Sequence, residues 1–424
     1  DATNSVELLG DCVTHWERAG ETRRAYEAAM KLGHRLVGMG MGEEAGKAFE
    51  RAENLSEESA DKLRAVEGRI VALRLSAKWF AVADAYDRRR VLRRETSSEP
   101  DLRDEHYLIA LESSIWSNDP RHDVADAINL AADRSNSDGL RVKAALLAAM
   151  YSDNCYSARG IRKAVAAVAD IAEPPDDDGS TSTLRLVYHC AIGEIASVAA
   201  LANQLASVSA NAEASWLRVQ GMRRAAIGYL RAGDAVSAEV ALLRVLELTE
   251  KLRLPHQGYA TRELLFDSCI AQGAHTRAEA HLDAMIAANL GTTAGYLQLM
   301  RLSAETRLAW SLKNAEMVAH IESGAFSQTP HTIPYLSHNM LTNELALSLL
   351  RDQRESARQY LSPLIDLHLK SRSMGRQDYC AEVLFAALRL LGRHRIAGRL
   401  AGEYYTIHRR EVRSTLWNTS GVEC

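Results

Sequence analysis

The chain has 424 residues, 47% hydrophobic and 25% charged, with 51 basic against 55 acidic side chains and a net charge of −4. That balance is too apolar for a disordered tail, and too even for nucleic acid or anionic lipid to be drawn in by an overall field. No apolar run approaches the ~20 residues of a spanning helix, and the six cysteines are isolated, so no disulfide scaffold is expected and reduced thiols in a cytoplasmic protein are. Ala and Leu are abundant, β-branched runs are scarce and only 8 prolines occur, which favours long helices over strands.

A helix is expected almost at once, with Asn4 and Glu7 as a capping-box pair. This start, with no initiating Met, suggests a piece cut from something larger. Gly38 through Ala48 has the flavour of a phosphate loop, but Met41 stands where its first glycine must be and Ala48 replaces its hydroxyl. The same residues fit a turn at Gly40 and a helix carrying Ala45, Phe49 and Ala52. Arg88, Arg89, Arg90, Arg93 and Arg94 close a helix that begins near Lys78, where cations suit the C-terminal dipole. A solvated face pairing with Glu95 and Glu99 is expected there, with phosphate or nucleic-acid contact as the alternative. Asp101, Asp104, Glu105 and Glu112 crowd a helix start, where capping explains them better than catalysis, and Asp119-Pro120 signals another start. Pro174 through Ser182 then breaks the rhythm with two prolines and three adjacent carboxylates. It is expected to be an exposed acidic loop, 174–182, between an N-terminal array, 1–173, and a C-terminal one, 183–424, in one superhelix or two lobes.

Internal repetition organises the whole. Ala226 through Asp234 leads into Ala238, Leu242 and Val245; forty residues on, Phe266 through Gly273 leads into Ala278, Leu282 and Met285. A small residue anchoring the second helix of each pair can be placed at Ala45, Val82, Ala125, Ala158, Val198, Ala238, Ala278, Ala319, Ala357 and Ala397. Five positions before these stand Gly40, Ala77, Pro120, Asp153, Gly193, Gly233, Gly273, Asn314, Asp352 and Gly392, nearly all turn formers. A large residue four after the anchor is clear at Phe49, Tyr86, Leu242, Leu282 and Leu361, and the pattern is weakest around Ala125 and Ala319. The expected fold is all-α: a right-handed superhelical solenoid of about ten antiparallel helix pairs with a period near 40.

The segments Arg24–Leu55, Val219–Glu250 and Gln257–Leu290 resemble tetratricopeptide repeats, although their spacing exceeds the usual ~34 residues. It is closer to the helical repeats found C-terminal to the ATPase module of bacterial signal-transduction ATPase regulators. His15-Trp16-Glu17-Arg18-Ala19-Gly20-Glu21 resembles the junction at which those ATPases pass from a winged helix into the repeats. The resemblance implies a sensor or inhibitor arm whose ATPase and effector parts would lie upstream. A free-standing adaptor with the same groove is the alternative.

In such repeats the first helices line the concave surface. Projecting their inward positions gives Gln220, Arg223, Arg231, Glu263, Asp267, Arg301, Asn339, Tyr379, Glu382 and Arg389 as the expected partner contacts. The Asn-based carboxylate clamp of chaperone-binding relatives is absent, since Ile227, Asp267, Leu308 and Ala386 occupy its place. A mixed-charge groove suits a protein or peptide with both signs on it, and a small-molecule inducer is the other candidate ligand. No catalytic constellation stands out, no HExxH and no nucleophile elbow, so no enzyme activity, cofactor or metal is expected of this chain.

Overall fold

Helix formers in long unbroken runs, with apolar residues recurring every third or fourth position, become helices throughout. The computed structural model describes residues 2–400 apart from 77, 97–102, 118–122, 156, 173–178, 193, 212–215, 252–253, 289–294, 323–324, 327–333 and 372–377. The first helices are α1 (Ala2–Arg18), α2 (Thr22–Gly38), α3 (Gly42–Leu55), α4 (Ser59–Leu75), α5 (Trp79–Thr96) and α6 (Glu105–Ser117). There follow α7 (Val124–Ala132), α8 (Asp138–Asn154), α9 (Ala158–Ala166), α10 (Ser180–Ile192), α11 (Ile195–Asn211), α12 (Trp216–Ala232) and α13 (Ala235–Lys251). The last are α14 (Pro255–Ala271), α15 (His275–Ala287), α16 (Gly295–Leu312), α17 (Pro334–Leu350), α18 (Arg354–Ser371) and α19 (Asp378–Leu390), and helix resumes at 394–400. Among the described residues there is no strand. The chain is an all-α helical repeat protein.

Two compact units share the chain. One takes Asp1–Ala148, Ala164–Pro175 and Glu247–Gly258, the other Ala149–Lys163, Asp176–Leu246 and Tyr259–Cys424. In the first unit each helix from α1 to α7 packs on the next, and α2 meets α4 as α4 meets α6, the arrangement of stacked hairpins. Its tightest joint is Phe49, fully buried on α3 between Gly33 of α2 and Gly68 of α4. A Cβ at Gly33 would stand 2.7 Å from the ring and one at Gly68 2.5 Å, so both positions are glycine because the ring fills the space. In the second unit one core joins α10 to α14 through Leu186, Val198, Ala226, Leu242 and Leu265, and another joins α16 to α19 through Trp310, Leu345, Leu364 and Leu384.

The repeat register shows at the turns. Gly40, Gly233, Gly273 and Gly392 have φ of 73°, 82°, 70° and 72°, the left-handed conformation in which a helix reverses into the next, and Asp352 follows with 52°. One turn is displaced by a residue, since Lys313 rather than Asn314 has the positive φ, 54°. Another is displaced further: Asp153 lies inside α8, and the reversal closes on the bond from the Ser157 amide to the Ser152 carbonyl, 2.8 Å. Ala77, Pro120 and Gly193 lie outside the described residues. No atom comes within 4 Å of a Cβ added at Gly273, so backbone strain alone is at issue there. Gly273→Val should therefore lower unfolding free energy by about 1–3 kcal/mol in a denaturant titration.

Seven anchors are buried: Ala45, Val82, Val198, Ala238, Ala278, Ala357 and Ala397. The other three are corrected by the structure. Ala125 is exposed and Ala127 buried in its stead; Ala158 is half-buried and Ile161 takes the core position; Ala319 is exposed beside the buried Val318. At Ala319 the expected second helix is replaced by a short 3-10 turn, Glu316–Val318. Residues of α17 and of the turn that follows it hold this irregular segment: Arg351, just past the end of α17, donates to the Val318 and Ile321 carbonyls, and the buried Glu344 of α17 accepts from the Phe326 amide at 2.9 Å.

Two helix starts also differ from expectation. Helix α1 already contains Asn4, so Asn4 and Glu7 are interior rather than a cap. The capping box that forms is on α7, where the Asp123 carboxylate accepts from the Ala125 amide at 2.7 Å and Asp126 accepts from the Asp123 amide. Of the expected loop 174–182, residues 174–178 lie outside the described residues. Ser180, Thr181 and Ser182 are buried in the first turn of α10 rather than exposed. Gly179, at φ 77°, lets the chain turn into that helix, and its carbonyl accepts from Thr183 Oγ1 at 2.7 Å.

Candidate functional site

The repeat interval reappears in the polar contacts between helices. In the first unit Arg51 pairs with Glu17, 34 residues back, Arg23 with Asp61, 38 on, and Arg88 with Glu53, 35 back. In the second, Arg307 of α16 binds Asp267 of α14, 40 residues back, and Glu263 at 3.3 Å. Asn343 of α17 donates to Ser303 of α16 at 2.9 Å, again across 40 residues, and accepts from Tyr379 of α19 at 3.1 Å across 36. Equivalent helices of successive pairs thus face one another, second helices through Arg51 and Arg88 and first helices through Arg23, Arg307 and Asn343, and α14, α16, α17 and α19 form one polar row.

Arg307 is central to this row and sequence reasoning missed it. Its guanidinium carbon lies 5.5 Å from the centre of the Phe266 ring and is flanked by two carboxylates, so the ring's face and both charges hold it. On the same helix Arg301 pairs with Glu305 at 3.3 Å, and Glu305 also lies 2.9 Å from His320 Nε2. Burial pushes the Tyr259 hydroxyl up to about 12 and raises Tyr379 further, so both remain neutral hydrogen-bonding groups.

The row collects Glu263, Asp267, Arg301 and Tyr379 of the expected partner contacts. Asn339 on α17 and Glu382 on α19 are half-buried and Arg389 ends α19 in solvent. Arg223 is half-buried on α12, while the side chains of Gln220 and Arg231 lie outside the described residues. Neither the family models nor the curated proteins contain a significant match to this chain. Its chemistry is therefore read from its own side chains.

The arginine cluster is placed differently from expectation. Arg89 is buried, 2% exposed, with Nε 2.9 Å from Glu67 and its other end on Asp104; Arg88 pairs with Glu53, Arg90 with Asp87 and Arg93 with Asp104. Apart from Arg90–Asp87, which lies within α5, these pairs reach residues beyond α5 instead of joining Glu95, which accepts from Ser59 at 2.7 Å, or Glu99, which lies outside the described residues. Only Arg94 of the five is both exposed and outside these pairs. Asp104 is a cap as well as a partner, accepting from the His106 and Tyr107 amides at 3.0 and 3.1 Å. Burial works against its ionisation, but the His106 bond, the Arg89 charge and the Tyr107 amide override it and hold the carboxyl down at about 2.

One grouping was invisible in the sequence. His338 of α17, His368 of α18 and Cys380 of α19 meet in the core of the second unit, with Cys380 Sγ 3.1 Å from His338 Nε2 and 3.7 Å from His368 Nδ1. Intervals of 30 and 12 residues match no compact ligand motif, which is why no metal was expected.

Proposed function

We propose that this chain is a binding arm: a ligand- or protein-sensing helical repeat region of a multidomain bacterial signalling ATPase, working in the cytoplasm. Its inner row takes a protein or peptide carrying both signs of charge. What carries this reading is the mixed-charge row in which Glu263 and Asp267 of α14 meet Arg307 of α16, with Arg301 on the same helix and Glu382 and Arg389 further along on α19. Such a pattern steers a complementary partner and fixes its register more than it adds raw affinity. The arm has no need of catalytic groups of its own, because helical repeats serve as extended recognition surfaces.

The test is capture by the immobilised chain, with identification of the proteins and small molecules retained. Against the retained partner, R301Q with R389Q should weaken binding about tenfold or more, and the wild-type affinity should fall as salt rises. R389Q, made in solvent, should alter folding stability by no more than roughly 0.5 kcal/mol, so it reads binding apart from folding; R301Q also removes a partner of the buried Glu305. Unchanged affinity, or binding indifferent to salt, would remove the row from the interface. The gene sequence ahead of Asp1 separates an arm from a free-standing adaptor: an ATPase module there supports the first.

A further inference from the structure

The geometry points to a zinc(II) site: we propose that His338, His368 and Cys380 bind one zinc ion and thereby tie α17, α18 and α19 together. The three helices alternate in direction. This brings the N-terminal part of α17, the C-terminal part of α18 and the N-terminal part of α19 to one end of the stack, where the three residues reside. All three are buried, at 3%, 4% and 5% exposure, and one ligand atom from each lies within 4.8 Å of those of the other two.

A tetrahedral site with Zn–N of about 2.0–2.1 Å and Zn–S of about 2.3 Å separates neighbouring ligand atoms by roughly 3.3–3.7 Å. The Cys380 distances to the two imidazoles, 3.1 and 3.7 Å, bracket that range. The rings are tilted by 35° with centres 6.2 Å apart, leaving space between them for an ion to be approached by both. One thiolate and two imidazoles select zinc-like ions over magnesium or calcium, which take oxygen ligands. Three protein ligands leave the fourth position to water. The Thr342 hydroxyl, one turn from His338, is a further polar group against Cys380, and Leu345, Leu364 and Leu384 supply a dry wall.

A rival reading would make Cys380 and His338 a nucleophile and base. That pair works as thiolate and imidazolium, in contact with solvent and substrate. Here the Cys380 thiol and the His338 imidazole are both buried, away from solvent and out of a substrate's reach. Neutral imidazole is already the ligating form. Cys380 loses its proton to water as the sulfur–zinc bond forms, so binding one ion releases one proton and strengthens with pH.

The experiment uses the full chain stripped with a chelator. Cobalt(II) should give a thiolate-to-cobalt charge-transfer band that saturates at one equivalent, and zinc should displace it and raise the melting temperature. The band should vanish in C380S and in H368Q but persist in C12S, whose exposed thiol serves as the control. Absence of the band in the native chain overturns the proposal whether or not the variants fold. So does a band that survives C380S, or saturation well away from one equivalent.

Discussion

Phe49→Ala is expected to cost about 3–5 kcal/mol, because it empties a fully buried position whose walls are the backbones of two other helices. Those walls cannot collapse far without shifting α2 or α4. The sharper test pairs the change with Gly68→Ala. In the native chain the added methyl would stand 2.5 Å from the ring and should destabilise by about 1–3 kcal/mol. Once the ring is gone, the same methyl enters free space in the middle of α4, where alanine is favoured over glycine by about 0.8–1.0 kcal/mol. Gly68→Ala should therefore change sign between the two backgrounds. Denaturant unfolding of the four proteins reads the coupling, and simple additivity would show that the ring does not occupy this slot.

Much of this fold was legible because turns and small residues are local signals. Gly40, Gly233, Gly273 and Gly392 are required by a left-handed backbone, and Ala45, Ala238 and Ala278 by close approach of two helices; both constraints act within a few residues of chain. Legibility failed where a tertiary contact substituted for a local one. Around Ala319 the second helix is missing because Arg351 and Glu344, some thirty and twenty residues on, hold the backbone in another form. The candidate site divides the same way. Glu263 and Asp267 could be projected from the period of the first helices, whereas Arg307 becomes central only once α16 is laid beside α14. His338, His368 and Cys380 come together only when three helices are stacked, and no spacing along the chain encodes that.

Arg89→Ala should be as damaging as the loss of Phe49, about 3–5 kcal/mol, since it removes the buried cation that both Glu67 and Asp104 face. The dependence on pH gives an independent check. Asp104 is held at about 2 in the folded chain, against roughly 3.9 when unfolded. A carboxyl depressed on folding contributes stability above its unfolded value, and that contribution is lost as pH falls from about 4 through 2. Over that window Asp104 alone accounts for about 2–3 kcal/mol, because each unit of difference is worth about 1.4 kcal/mol. In Arg89→Ala the Arg89 share of the depression disappears while the charge and bond of His106 and the bond from the Tyr107 amide stay. The acid limb of the stability curve should then become shallower between pH 4 and 2 but not flat, whereas Asp104→Asn should remove its share altogether. Stability measured from pH 5 to 2 in the three proteins distinguishes these slopes. An unchanged limb in Asp104→Asn would mean that Asp104 is not the carboxylate that joins α5 to α6.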